Sequence, residues 1–89
     1  MSIEELVGML KVDLGITTNA YDDRLAVYIE SAQVEIIRQG ASLGSSVSDM
    51  QLVIMYAAWL WRRRDTGDGM PRMLRYALNN KIFAGKING

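Results

Sequence analysis

Residues 52–61 read LVIMYAAWLW, the longest apolar run in the chain. Because a helix needs roughly 20 apolar residues to span a bilayer, this run predicts a buried helix and not a membrane span. Ser48 and Gln51 match a capping box ahead of it, and the arginines at 62–64 lie where cations stabilise a helix C-terminus. We therefore predict a helix over residues 49–64. Since it is apolar on nearly every side, it belongs at the centre of a bundle or in a subunit interface.

The apolar spacing outside this run predicts three more helices, joined by glycine-bearing turns. They cover residues 3–13, 20–39 and 71–84. Ser2 with Glu5 forms a capping box for the first helix, and Thr18 or Asn19 can cap the second. The fold predicted is all-α, a small bundle of four helices with a central apolar third helix. It forms one domain over residues 1–89, in which Gly85 ends the last helix and residues 84–89 are a short C-terminal tail.

The same spacing predicts which side chains of the outer helices face the core. In the second helix the stripe is widened by Tyr28 and Val34, and in the fourth either Met73 or Leu74 begins it. The remaining positions are Ile3, Leu6, Val7, Leu10, Leu25, Ile29, Ala32, Ile36, Ala77, Leu78 and Ile82.

Composition excludes several classes of protein. Hydrophobic residues make up 49% of the 89-residue chain and charged residues 22%, which is typical of a globular domain. The chain has no Cys and no His, so disulfide frameworks, thiol catalysis, zinc fingers and histidine general bases are excluded. Its formal net charge is zero, which excludes a histone-like attraction to DNA. The acidic start at Glu4 and Glu5 is unlike a secretory signal, so we expect an intracellular soluble protein.

No pattern predicts a catalytic, cofactor-binding or metal site. The acidic residues fall in first turns of helices or on solvated helix faces, where they stabilise the helix and stay in water. Asp65 and Asp68 could offer carboxylates to a cation, but they lack the ligand spacing of a calcium loop. Gly67 and Gly69 are not followed by the Lys-Ser/Thr of a phosphate-binding loop. We expect no enzymatic activity.

Charge and tryptophan placement point to interactions between chains. Residues 1–44 carry a net charge of −4 and residues 45–89 a net charge of +4. An acidic half and a basic half favour the head-to-side contacts that close into rings, although a short chain can also be asymmetric by chance. Trp59 and Trp61 point in different directions, so one can enter the core while the other meets a partner. The alternative is that both pack in the core against different neighbours. We predict a subunit interface that comprises Trp59, Trp61, Arg62, Arg63 and Arg64. For the arginines, complementation of the helix dipole and a phosphate contact are the alternatives.

Five segments, taken in order, resemble a known family. They are KVDLGI (11–16), DDRL (22–25), IESAQVEI (29–36), YAAWLWRRR (56–64) and MPRMLRYAL (70–78). With these segments in this order, the chain resembles the small head-tail connector (adaptor) proteins of long-tailed bacteriophages over residues 3–80.

The resemblance implies a structural protein without cofactor, which forms a ring, commonly of twelve copies, beneath the phage portal protein. Such a ring extends the DNA channel, through which DNA passes without sequence-specific binding, and docks the stopper or tail-completion protein. It implies a place in the neck of the virion after assembly in the bacterial cytoplasm. By this resemblance, the side chains facing the portal or the DNA channel are Arg72, Arg75, Lys81 and Lys86. The alternatives are a small helical DNA-binding regulatory protein and a helical subunit of a host complex.

Overall fold

Four helices make up the computed structural model. It describes residues 2–67 and 69–88, except for the side chains of Asp65 and of residues 85–88. The helices are α1 (Ile3–Leu14), α2 (Asp22–Arg38), α3 (Val47–Thr66) and α4 (Arg72–Asn88). No strand occurs among the described residues. The prediction of an all-α bundle of four helices is confirmed.

Helix α3 is the centre of the bundle. Helices α1, α2 and α4 all pack against it, and α1 and α2 also pack against each other. Its buried side chains point in several directions, toward all three neighbours: Leu52, Val53, Ile54, Tyr56, Ala57 and Ala58. Only Met55 and Gln51 among residues 51–58 are exposed. The apolar run is therefore explained by packing within one chain, as the prediction of a central third helix required.

The core stripes of the outer helices follow their sequence periods. Leu25, Ile29, Ala32 and Ile36 are fully buried along α2, and Leu74 and Leu78 are buried along α4. One extension of these stripes was wrong: Val34 lies on the side of α2 opposite the buried stripe and is 54% exposed. Of the two residues that could begin the α4 stripe, Leu74 is buried and Met73 is exposed.

The ends of α1 agree with the sequence, whereas the start of α2 does not. Ser2 Oγ accepts a hydrogen bond from the Glu5 N–H, and Gly15 ends α1 in the left-handed conformation at φ 73°. Helix α2 begins at Asp22 behind Tyr21, with no side-chain cap. The prediction of Thr18 or Asn19 as the cap was wrong. Thr18 Oγ1 accepts a hydrogen bond from the Ala20 N–H at 3.2 Å, and Asn19 Oδ1 accepts one from Lys11 Nζ at 2.7 Å.

Helices α3 and α4 both extend beyond their predicted ends. Ser46, not Ser48, caps α3, since its hydroxyl accepts a hydrogen bond from the Asp49 N–H at 3.2 Å. The backbone of α4 is helical to Asn88, so Gly85 does not end it and most of the predicted tail is helix. A glycine inside a helix lowers helix stability by about 1 kcal/mol relative to alanine. The additional helical residues beyond Gly85 can offset this loss.

Gly8 offers a test of how far α1 is destabilised by its own sequence. It lies in mid-helix and is exposed, and a Cβ there would meet no atom within 4 Å. Gly8→Ala should therefore raise the free energy of unfolding by about 0.5–1 kcal/mol in urea denaturation. The matched control is Gly15→Ala, which should destabilise because Gly15 has a φ of 73°. Equal effects of the two substitutions would contradict this account.

Candidate functional site

Trp59 is half-buried at the C-terminal part of α3 and is held by contacts within the chain. Its Nε1 donates a hydrogen bond to the Gly69 carbonyl oxygen at 3.1 Å, which ties the loop after α3 back onto the helix. Its ring meets the Tyr56 ring edge to face, with centroids 5.4 Å apart. The Arg63 guanidinium lies 4.9 Å from the Trp59 ring centroid, a cation–π distance.

Trp61 is also half-buried, but it faces α2. Its ring makes edge-to-face contacts with Tyr21 and Tyr28, at centroid distances of 5.7 and 5.6 Å. The Arg64 guanidinium lies over the ring, 3.8 Å from its centroid, and Arg64 Nη1 donates a hydrogen bond to the Trp61 carbonyl oxygen at 2.6 Å. The two tryptophans thus pack against different neighbours within one chain, which was the alternative to an interface role.

Arg62 connects the end of α3 to the end of α1. Its Nη2 lies 3.8 Å from Asp13 Oδ2 and 3.5 Å from the Asp13 carbonyl oxygen. Both side chains are about half exposed or more, so water screens this pair and its contribution to stability is small. Each arginine of the cluster therefore has a contact in its own chain, and the subunit interface predicted for this end of α3 stays a prediction.

An open cavity of about 420 Å³ lies beside this cluster, between the C-terminal half of α3 and the start of α4. Its apolar walls come from Met55, Trp59, Pro71, Met73 and Leu74. Arg62 and Arg63 stand at its side. Asp13, the ion-pair partner of Arg62, also lines the cavity. Such a cavity can accept an apolar side chain.

The four basic residues predicted to face the portal or the channel are not equivalent. Arg72 and Arg75 are exposed on α4. Lys81 is partly buried, since its Nζ lies 2.7 Å from Oδ1 of Asp49 and its side chain is 32% exposed. Its predicted place at the portal or the channel stays a prediction. The side chains of Lys86 and of the candidate metal ligands Asp65 and Asp68 lie outside the described residues.

Asp49 is the buried charged residue of the described chain, and sequence reasoning treated it only as a first-turn acid. Its side chain is 5% exposed, and its Oδ2 accepts a hydrogen bond from the Gly44 N–H at 2.7 Å. The signal for its partner was present in α4. Lys81 follows Leu74 by seven residues and Leu78 by three, which is the core-facing period.

The surroundings of Asp49 lower its pKa. Burial by itself raises the pKa, but the Lys81 ammonium group, the Gly44 N–H and the Ser46 hydroxyl together outweigh burial and hold the pKa of Asp49 below its ordinary value. A carboxyl whose pKa is lower in the folded chain than in the unfolded chain stabilises the fold when it is ionised.

This shift predicts how stability depends on pH. The contribution of Asp49 is fully present above its unfolded pKa of about 3.9, and it is lost as the pH falls through that value and then through the lower folded pKa. Urea denaturation between neutral and strongly acidic pH should show this loss. In Asp49→Asn the loss of stability with acid should be smaller, and an equal loss in both proteins would contradict the assignment.

Two exposed helix faces carry apolar side chains. The α2 outer face consists of Asp23, Val27, Glu30, Val34 and Ile37. The α4 outer face consists of Arg72, Arg75, Tyr76, Asn79 and Phe83. On each helix these residues lie opposite the buried stripe, and all are exposed. Neither face was identified from the sequence, where Val34 was placed in the core stripe.

Comparisons with known proteins add no relative. No protein-family model matches the chain, and neither does any curated protein or solved structure. Among the described side chains, which do not include those of Asp65 and Asp68, no three Asp or Glu groups come together as a metal site would require. Across the same residues, no helix combines the length and the apolar content needed to cross a membrane.

Proposed function

We propose that this chain is a structural subunit of a head-tail connector ring in a tailed bacteriophage. In this role it assembles beneath the portal, extends the DNA channel and docks the stopper or tail-completion protein. The resemblance over residues 3–80 supports the family, and the observation that carries the proposal is the pair of unlike outer faces on α2 and α4.

A ring subunit has to contact two neighbours through two different surfaces. A surface that pairs with itself closes a dimer, whereas two unlike surfaces that pair with each other can close a ring. The α2 outer face combines valines with Asp23 and Glu30, and the α4 outer face combines aromatic rings with Arg72 and Arg75. Both faces expose large apolar side chains, which mark interaction sites when they are clustered.

One observation favours a second function, a small DNA-binding regulator. The solvent side of α4 displays Arg72, Arg75, Asn79 and Asn80, and these residue types contact phosphates and base edges in DNA grooves. However, Tyr76 and Phe83 share this side of the helix and are 66% and 65% exposed. Such a face suits a protein partner better than a hydrated groove, so the connector is the function that we propose.

Native mass spectrometry and light scattering over micromolar to millimolar concentrations test the two functions. The connector should give a closed oligomer whose mass is a fixed multiple of the 10.0 kDa chain, and twelve copies are expected from the resemblance. A chain that stays monomeric at every concentration contradicts the connector. If that monomer binds duplex DNA with a log K that falls by about 2 or more per tenfold rise in salt, the regulator is supported instead.

A further inference from the structure

We infer that the contact between neighbouring copies joins the α2 outer face of one chain to the α4 outer face of the next, with the two helices parallel. This inference rests on the proposed function and names the surfaces that would form the ring.

The α2 outer face is a continuous apolar strip with acidic flanks. Val27 and Val34 lie directly opposite the buried stripe and are 60% and 54% exposed, and Ile37 extends the strip by one turn. Asp23 and Glu30 lie along the same side of the helix and are exposed. A strip of this kind leaves apolar surface in water that a partner could cover.

The α4 outer face has the same layout with the opposite charge. Tyr76 and Phe83 lie opposite the buried Leu74 and Leu78, and Arg72 and Arg75 flank Tyr76 on the N-terminal side. The described part of α4 contains no acidic residue, so every charged side chain of this face is basic. Aromatic and arginine side chains are the types enriched at the energetic centres of protein interfaces.

The two strips also match in length. Val27 and Val34 are seven residues apart, and so are Tyr76 and Phe83. At 1.5 Å of rise per residue, both pairs are separated by about 10.5 Å along their helices. Each valine can therefore lie near one aromatic ring when the two faces are laid together.

Charge selects the direction of the two helices. A parallel arrangement that pairs Val27 with Tyr76 also places Asp23 beside Arg72. The reason is that Asp23 lies four residues before Val27, as Arg72 lies four before Tyr76. In an antiparallel pairing of Val34 with Tyr76, Arg38 lies beside Arg72 instead. Juxtaposed like charges oppose association, so the parallel arrangement is favoured.

Charge also argues against pairing of like faces. Two α4 outer faces together would bring four arginines into one contact, and two α2 outer faces would bring together their aspartates and glutamates. Only the mixed pair places opposite charges around an apolar centre. A surface that must meet its unlike counterpart gives the heterologous contact that a ring needs.

Two half-blocked variants test the inference. Val34→Asp places a charge at the centre of the α2 outer face, and Phe83→Asp does the same on the α4 outer face. Both residues are exposed, so the variants should fold. Each alone should be monomeric in native mass spectrometry. Mixed together, they should form a 1:1 dimer and nothing larger, because only one α2 face and one α4 face remain intact.

Val12→Asp on α1, where Val12 is 83% exposed, is the control and should assemble like the unaltered chain.

The direction of the helices has its own test. Asp23→Arg should weaken assembly at least about tenfold by facing Arg72, and adding Arg72→Asp in the same chain should restore it. If Asp23→Arg has no effect while Arg72→Asp alone strengthens assembly, the helices are antiparallel and that part of the inference is wrong.

The outcomes separate the inference from the proposed function. If the unaltered chain forms a closed ring and both aspartate variants still do so, the contact lies elsewhere; the inference fails and the connector stands. If each variant alone forms a dimer, like faces pair and the inference fails. If the unaltered chain stays monomeric up to millimolar concentration and the mixed variants do not pair, both fail.

Discussion

Replacing Asp49 with alanine should lower the free energy of unfolding by about 3 kcal/mol, because it removes a buried carboxylate that holds both an ion pair and a hydrogen bond. The carboxylate contacts Lys81 Nζ and the Gly44 N–H, both at 2.7 Å, so its loss affects α4 and the loop before α3 together. Urea denaturation at neutral pH, followed by circular dichroism, measures the change.

Two further variants show whether the ion pair causes this loss. Lys81→Met leaves the Asp49 carboxylate buried without its cation and should also be strongly destabilising. In the double variant Asp49→Ala with Lys81→Met, no charge is left without its partner, so the combined loss should be smaller than the sum of the two. Strict additivity would contradict the coupling.

An exposed ion pair supplies the matched control. Arg38 Nη1 lies 3.1 Å from Glu35 Oε1, one turn away on α2, and the Arg38 side chain is mostly exposed. Arg38→Ala should therefore cost less than about 0.5 kcal/mol. If it costs as much as Asp49→Ala, burial is not what makes the Asp49 pair important.

The helical core could be predicted because periodicity needs no knowledge of tertiary structure. Leu25, Ile29, Ala32 and Ile36 repeat at helical spacing, and all four are fully buried. The period alone places them on one side of α2, and a chain of this size has one core for that side to face. Val34 was misplaced because an apolar side chain on a helix does not reveal whether it faces the core or an unpartnered surface.

Helix ends were less predictable because competing caps are decided by distant contacts. Ser46 and Ser48 lie two residues apart, and each is followed by a polar residue three positions later. Ser46 caps α3 in the structure, and the Asp49 carboxylate is held by Lys81 from α4. That tertiary contact fixes the first turn of α3 and is not visible in the local sequence.

The surroundings of the tryptophans also depend on long-range packing. The sequence indicated that Trp59 and Trp61 point in different directions, but not which rings they meet. Tyr28 on α2 reaches Trp61 only because α2 packs against α3, and Gly69 reaches Trp59 only because the loop folds back. Spacing within one helix gives the direction of a side chain, and the partner comes from the fold.

Trp61→Ala should lower the free energy of unfolding of the single chain by about 3 kcal/mol. Large-to-small substitution of a fully buried Trp costs about 3–5 kcal/mol, and the half-buried position of Trp61 sets the expectation at the lower end. The loss includes two edge-to-face contacts, with Tyr21 and Tyr28, each worth about 0.5–1.5 kcal/mol. Circular dichroism is the suitable probe because the substitution removes a fluorophore.

Trp61→Phe is the matched variant, and the comparison decides between a core role and an interface role. Phenylalanine keeps an aromatic ring between α2 and α3, so it should lose about 1 kcal/mol and leave assembly intact. If Trp61→Ala instead leaves the stability of dilute protein unchanged and abolishes assembly, the ring of Trp61 serves another copy of the chain. The interface predicted from the sequence at this end of α3 would then exist, in addition to the contact that we infer between the outer faces of α2 and α4.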